Sequence, residues 1–189
     1  KAWSQPDGTL QDTVYEAYDL QAIRIDGAAE HPTALVQSTA MASVPPPVPT
    51  YRPILPKNLV QDGLLSAPQL ESVIYAGNAH ETHLKGWFKR GEIEGQLMAA
   101  AEGDEGAFRL RKGWFLGDGT GCGKGRQVAG IILDNWLKGR RRAVWVSKSD
   151  KLIEDARRDW IALGGRESDI VPLSKFRQGS DIRLPEGIL

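Results

Sequence analysis

Lys124 stands within an alternation of glycines at 117, 119, 121, 123 and 125, a combination suited to holding a phosphate. Glycine opens backbone conformations closed to other residues, so successive N–H groups can turn inward around an anion. The lysine adds a full positive charge that reaches β- and γ-phosphates, and a helix starting at the loop adds a partial one. Set against G-x-x-x-x-G-K-[ST], the matching residues are Asp118, Gly119, Thr120, Gly121, Cys122, Gly123, Lys124 and Gly125. Two positions depart from the pattern. Asp118 replaces the first glycine, and Gly125 replaces the Ser/Thr whose hydroxyl is a Mg²⁺ ligand. The competing reading, a glycine-rich hairpin with an unrelated lysine, fits the polarity of the flanking segments less well.

Those flanks must position the loop. Phe108 to Leu116 reads as the strand that feeds it. From Lys124 onward, Val128, Ile131, Ile132, Leu133, Trp136 and Leu137 form a helical apolar stripe wide enough to pack on a sheet, with Gly139 as the stop. Ala143–Val146 is a short, continuously apolar run, as expected of a buried parallel strand. Ser149 or Asp150 then caps a helix with Ile153, Ala156, Trp160 and Leu163 inward, closed by Gly164-Gly165. Asp169–Leu173 is the candidate for a third strand. Alternating strands and helices predict an α/β fold with a parallel sheet, with ligands beyond the strand carboxyl ends.

Upstream, Ser66 and Gln69 have capping-box spacing before Leu70, Val73 and Ile74, which predicts a helix from about 67 to 80. Gln69 has two open roles: capping partner of Ser66, or an amide that reads the edge of adenine. Residues 85–107 alternate glycines with short helical pieces, Gln96–Ala101 among them, and read as a surface excursion. His31, His80 and His83 lack companions at metal-ligand spacing, so no metal site is expected from them. Pro45, Pro46, Pro47, Pro49, Pro53 and Pro56 enforce extended chain over 44–57, a linker or an arm laid on its neighbour. Residues 1–43 are polar at first and β-like from 21, with turn signals at Asp26-Gly27 and His31-Pro32.

Composition narrows the class. The 189 residues are 41% hydrophobic and 25% charged with zero net charge, ordinary for a core-forming protein. The charge is uneven: Arg109–Lys151 holds eleven Lys/Arg against three Asp/Glu, which suits phosphate-rich ligands. One cysteine, Cys122, excludes an internal disulfide framework and points to a reducing compartment, taken as the cytoplasm. No apolar run approaches the roughly 20 residues of a membrane span, so no membrane partner is expected. The polar start without methionine reads as a piece of a longer chain.

Leu64-Leu65-Ser66-Ala67-Pro68-Gln69-Leu70-Glu71-Ser72-Val73-Ile74-Tyr75-Ala76-Gly77 and Gly113–Arg126 resemble the strawberry notch family, large proteins with a helicase-superfamily-2 P-loop core that have bacterial and phage relatives. An aspartate six residues before the lysine also suits a helicase-type loop. The resemblance covers most of 50–189, and its members also carry Gly-Lys-Gly. It implies a partial RecA-like P-loop domain over 58–189, preceded by a small β-containing region and the proline-rich arm, and cut before the Walker B Asp-Glu pair. It implies that ATP is held by Gly119, Thr120, Gly121, Cys122, Gly123, Lys124, Gly125 and Arg126, with Gln69 on adenine. Lys124 is the catalytic candidate, and the Mg²⁺ ligands lie mostly outside the segment. Ser147 and Lys148 would meet a nucleic-acid backbone, DNA in preference to RNA.

The function expected is therefore the ATP-binding part of a helicase-like nucleic-acid remodeller. It needs the C-terminal half of its core as partner and is inactive alone. The rival is a non-catalytic interaction or transcription-regulatory module with a relic loop.

Overall fold

The computed structural model describes residues 14–189. Its elements in order are β1 (Tyr15–Ala17), β2 (Val36–Ser38), α1 (Thr39–Ala42), α2 (Lys57–Gln61), α3 (Ala67–His80), β3 (Trp87–Arg90), β4 (Leu97–Ala100), α4 (Lys124–Leu137), β5 (Arg142–Ala143), α5 (Ile153–Ala162) and β6 (Gly187–Ile188). This is mixed α/β architecture with three two-stranded sheets, one of them parallel.

Three helices make the body, α3 packing on α4 and α4 on α5. Helix α3 starts as its sequence requires, with Pro68 in the first turn, where its missing N–H has no intrahelical acceptor to serve. It buries Leu70, Val73 and Ala76; α4 buries Ala129, Gly130 and Leu133. A side chain at Gly130 would press on Val73 and Leu65, so this glycine sets how closely α3 and α4 approach. Trp160 of α5 is 1% exposed and meets Trp136 edge-on, ring centroids 5.4 Å apart. Burying Leu70, Val73 and Leu133 stabilises by roughly 1.5–3 kcal/mol each.

The parallel pair follows α4. Arg142 faces Gly187 and Ala143 faces Ile188, and the ladder continues with Trp145 N–H donating to Leu189 O at 2.7 Å. Ile170 bridges the other side of Ile188, so Asp169–Leu173 contributes a single parallel bridge between 3₁₀ turns rather than a full strand.

Beyond Asp169–Leu173, four sequence expectations change. Ala143–Val146 is not a buried strand: of it only Ala143 lies in β5, and Val144 and Val146 are 71% and 87% exposed. Phe108–Leu116 is not a strand: Phe108 bridges Phe88 and Arg111 bridges His83, and 112–119 runs on with no sheet partner among the described residues. Gln96–Ala101 is not helical, because Leu97–Ala100 pairs with Trp87–Arg90 in an antiparallel hairpin. Cross-strand pairing overrides the helix preference of Leu, Met and Ala there. Of the β-like 21–44, only Val36–Ser38 is a strand, and it pairs with Tyr15–Ala17. The polar residues 1–13 lie outside the described part.

Residues 45–56 have no regular secondary structure and lie on α3 and α4. The Tyr75 hydroxyl donates to Pro47 O at 3.0 Å, and Thr50 N–H donates to Asn78 Oδ1 at 3.2 Å. The Tyr51 hydroxyl donates to the Asp134 carboxylate, whose other oxygen accepts from Ile54 N–H at 2.8 Å. Lys138 Nζ sits 4.2 Å from the Tyr51 ring centroid. A side chain at Gly77 would overlap that ring, so α3 is grooved where Tyr51 crosses it.

Candidate functional site

The loop from Asp118 to Gly123 leads directly into α4. Gly121 and Gly123 adopt φ of +90° and +69°, conformations that side-chain-bearing residues rarely take. Among the described residues, the backbone N–H groups of Gly119 to Gly123 donate to no protein acceptor. The Lys124 ammonium folds back across the loop, donating to Asp118 O at 2.9 Å and Gly119 O at 2.5 Å. Unpaired amides at a helix N-terminus beside a lysine form an anion site.

Two glutamines fix the loop. Gln69 Nε2 donates to Cys122 O at 3.5 Å, and Gln127 Nε2 donates to the same carbonyl at 3.1 Å. In a trans peptide the C=O and the following N–H point oppositely, so holding the Cys122 carbonyl turns the Gly123 N–H away from both glutamines. Gln69 Oε1 meanwhile accepts from Ser66 N–H at 3.0 Å. The capping role is therefore filled, and the same amide touches the loop. A Cβ on Gly123 would overlap Gln69 Nε2, so the glycine serves both the turn and this contact.

Gln127 is 1% exposed and also donates to Asp118 Oδ2 at 2.9 Å. Sequence reasoning missed it. Its only signal is position: three residues past Lys124, it shares the helix face that meets the loop.

Arg126 is turned to protein. Its Nε pairs with Asp159 Oδ1 at 3.3 Å and its Nη1 donates to Leu64 O at 3.0 Å. Gly125 lacks the hydroxyl that Mg²⁺ would take, and the other oxygen of Asp159 fills the space beside it: a Cβ at 125 would overlap Asp159 Oδ2. The amide cradle with Lys124 thus fits a triphosphate, and the donor beside Gly125 is of a type that fits Mg²⁺. Among the described residues no three His, Cys, Asp or Glu cluster as a metal site by themselves.

Next to the loop, the Tyr18 hydroxyl donates to the Glu71 carboxylate. Burial pushes Glu71 above the usual carboxylate range; the Tyr18 hydrogen bond opposes this and the Asp118 charge adds to it. Tyr18 itself is raised, chiefly by burial and then by Glu71. Ser147 and Lys148 are exposed beyond β5 and make no hydrogen bond with the loop. Ser147 lines a cleft of about 850 Å³ with Trp145, Ile153, Arg157 and Phe176, to which no loop residue contributes. Arg140 is tied to the end of α4: its backbone N–H donates to Asn135 O at 3.0 Å and its guanidinium to Asn135 Oδ1 at 2.9 Å.

The sequence matches the family model described as P-loop containing NTP hydrolase pore-1 over residues 30–189. It is 37% identical over 157 residues to protein strawberry notch homolog 1 of Gallus gallus, covering 83% of this chain and 11% of that protein. With protein strawberry notch of Drosophila melanogaster it shares 36% over 165 residues, 87% of this chain and 9% of the relative. With protein FORGETTER 1 of Arabidopsis thaliana it shares 34% over 163 residues, 84% of this chain and 11% of the relative. The chain spans about a tenth of the length of these relatives. No solved structure matches it.

Proposed function

The chain belongs to the strawberry notch family and carries its P-loop NTP-hydrolase domain, and from that premise we propose that it is the ATP-binding part of an ATP-dependent nucleic-acid remodeller or translocase. The observation that carries this reading is the row of N–H groups from Gly119 to Gly123, free of protein acceptors among the described residues, with Lys124 lying across it. When ATP binds, these amides and Lys124 take the β- and γ-phosphates, and Lys124 exchanges its two carbonyl partners for phosphate oxygens. Lys124 then stabilises charge as the γ-phosphoryl leaves. Mg²⁺, when bound, neutralises the triphosphate and helps orient it. Gln69 holds the loop from α3 by the Cys122 carbonyl, and to read adenine its amide would have to exchange that carbonyl and the Ser66 N–H for the base edge.

The segment 58–189 is read as the first portion of a RecA-like core, with 44–57 an arm strapped to it. Two observations support this. The parallel β5–β6 pair follows the P-loop helix, and apolar side chains before the loop and just after β5 lie without cover: Phe115 is 88% exposed and Val146 87%. Those surfaces suit further strands from the C-terminal half of the core. Nucleic acid, with DNA the expected partner, would contact Ser147 and Lys148, in keeping with the basic stretch Arg109–Lys151. The single cysteine suits the cytoplasm.

Lys124→Ala in the complete protein tests the reading. Loss of ATP binding and of nucleic acid-stimulated ATP hydrolysis is the expected result. Unchanged binding and turnover would exclude the loop as the nucleotide site.

A further inference from the structure

We propose that Asp159, on α5, takes over the role of the hydroxyl missing at Gly125 and lends a carboxylate oxygen to the divalent cation that accompanies the nucleotide phosphates. This rests on the nucleotide reading above.

The geometry begins with how Asp159 is held. The Ser149 hydroxyl accepts from Lys151 N–H at 3.3 Å and starts the chain into α5. The neighbouring Trp160 is buried, and its indole N–H donates to Asp169 Oδ2 at 3.1 Å, which fixes the rotation of the helix. Asp159 then faces the first turn of α4. Arg126 Nε binds one oxygen, Oδ1, at 3.3 Å, and Arg126 is itself anchored on Leu64 O. The second oxygen, Oδ2, makes no hydrogen bond among the described residues and lies where a side chain at 125 would begin. In the usual loop that volume belongs to the Ser/Thr carrying the cation-binding hydroxyl. Here a half-held, largely buried carboxylate fills it, its side chain 13% exposed.

Charge gives the second argument. A carboxylate set against the first turn of α4, beside a triphosphate site, opposes the phosphates unless a cation stands between them. Mg²⁺ is commonly held by one or two carboxylates together with substrate phosphates, so the same pair of like charges becomes a ligand set when the ion is present. Gly125 is then the residue that admits Asp159.

The test measures affinity of the full chain for a fluorescent ATP analogue in Mg²⁺ and in EDTA. In the parent chain Mg²⁺ should tighten binding. Asp159→Ala should lose most of that gain, about tenfold, while affinity in EDTA holds or improves. The double variant Gly125→Ser with Asp159→Ala restores a hydroxyl and removes the overlap, so it should recover the Mg²⁺ gain. Direct Mn²⁺ binding in the presence of ATP, followed by electron paramagnetic resonance, should rank the three proteins the same way. A Mg²⁺ gain that survives Asp159→Ala, or a loss that the double variant does not repair, overturns the proposal and leaves Asp159 as the ion-pair partner of Arg126. Failure of the parent chain to bind nucleotide in either buffer would overturn the nucleotide reading itself, and this proposal with it.

Discussion

Gln127 Nε2 donates to Asp118 Oδ2 at 2.9 Å, tying the entrance of the phosphate loop to the first turn of the helix that leaves it. The residue that departs from the usual glycine at the head of the loop is thus held in place by a clamp. Both ends of the loop converge on one buried amide, because Gln127 also holds Cys122 O.

Gln127→Leu should keep the fold and weaken nucleotide binding about tenfold, the scale of losing two hydrogen bonds of about 0.5–1.5 kcal/mol each. Calorimetric titration with ATP, beside a thermal melt, checks it. Full affinity in a folded variant would show that the clamp does not shape the loop.

Gly123→Ala should destabilise the chain by roughly 1–2 kcal/mol through its left-handed backbone alone. The new methyl also displaces the Gln69 amide, so nucleotide affinity should fall with it. Chemical denaturation gives the first quantity and an ATP titration the second. An alanine variant as stable as the parent would contradict the conformation found at this position.

Tyr51→Phe removes a donor from a carboxylate that is 1% exposed and keeps Ile54 N–H as a close partner. The expected loss is about 1.5–3 kcal/mol, as for hydrogen bonds to buried charge. Amide exchange along 45–56 should speed up together with the loss of stability. A variant with parental stability and parental exchange would mean that Tyr51 does not secure this stretch.

Asp169 sets an acid limit on stability. Burial by itself would raise its carboxyl, but N–H donors from the Arg166 backbone, the Trp160 indole and the Arg166 side chain outweigh burial and hold it below the usual value. A depressed carboxylate contributes stability above its unfolded value of 3.8 and loses it as pH falls through the folded value. Denaturation measured from pH 6 to pH 2 should show this loss, and Asp169→Asn should be less stable at pH 6 and flatter below pH 4. Parallel curves for the two proteins would remove Asp169 from that role.

The 189 residues alone should bind ATP weakly and show no sustained hydrolysis, because the carboxylates at the loop, Asp118 and Glu71, are engaged by Gln127 and Tyr18 rather than free to activate water. Steady-state phosphate release checks this. Continuous turnover abolished by Lys124→Ala would contradict it.

Local signals were legible. Helix α3 begins and ends where Ser66, Pro68 and the apolar spacing put it, and α4 starts at Lys124. Both depend on contacts within a turn or two, which sequence spacing encodes. Leu97–Ala100 was not legible, since its strand exists only through pairing with Trp87–Arg90. Asp159 was invisible for a related reason: α5 reaches Gly125 only once the two helices pack.

The sequence by itself determined the phosphate loop, because glycines at 121 and 123 and a lysine at 124 dictate backbone shape and charge within a few residues. Tertiary structure alone decided what surrounds the loop: Gln69 from α3, Gln127 from α4 and Asp159 from α5 meet there, and Tyr51 fastens the proline-rich stretch to α3 and α4. Such meetings follow from burial of Leu70, Leu133 and Trp160 between helices far apart in the chain, and burial is a property of the packed whole.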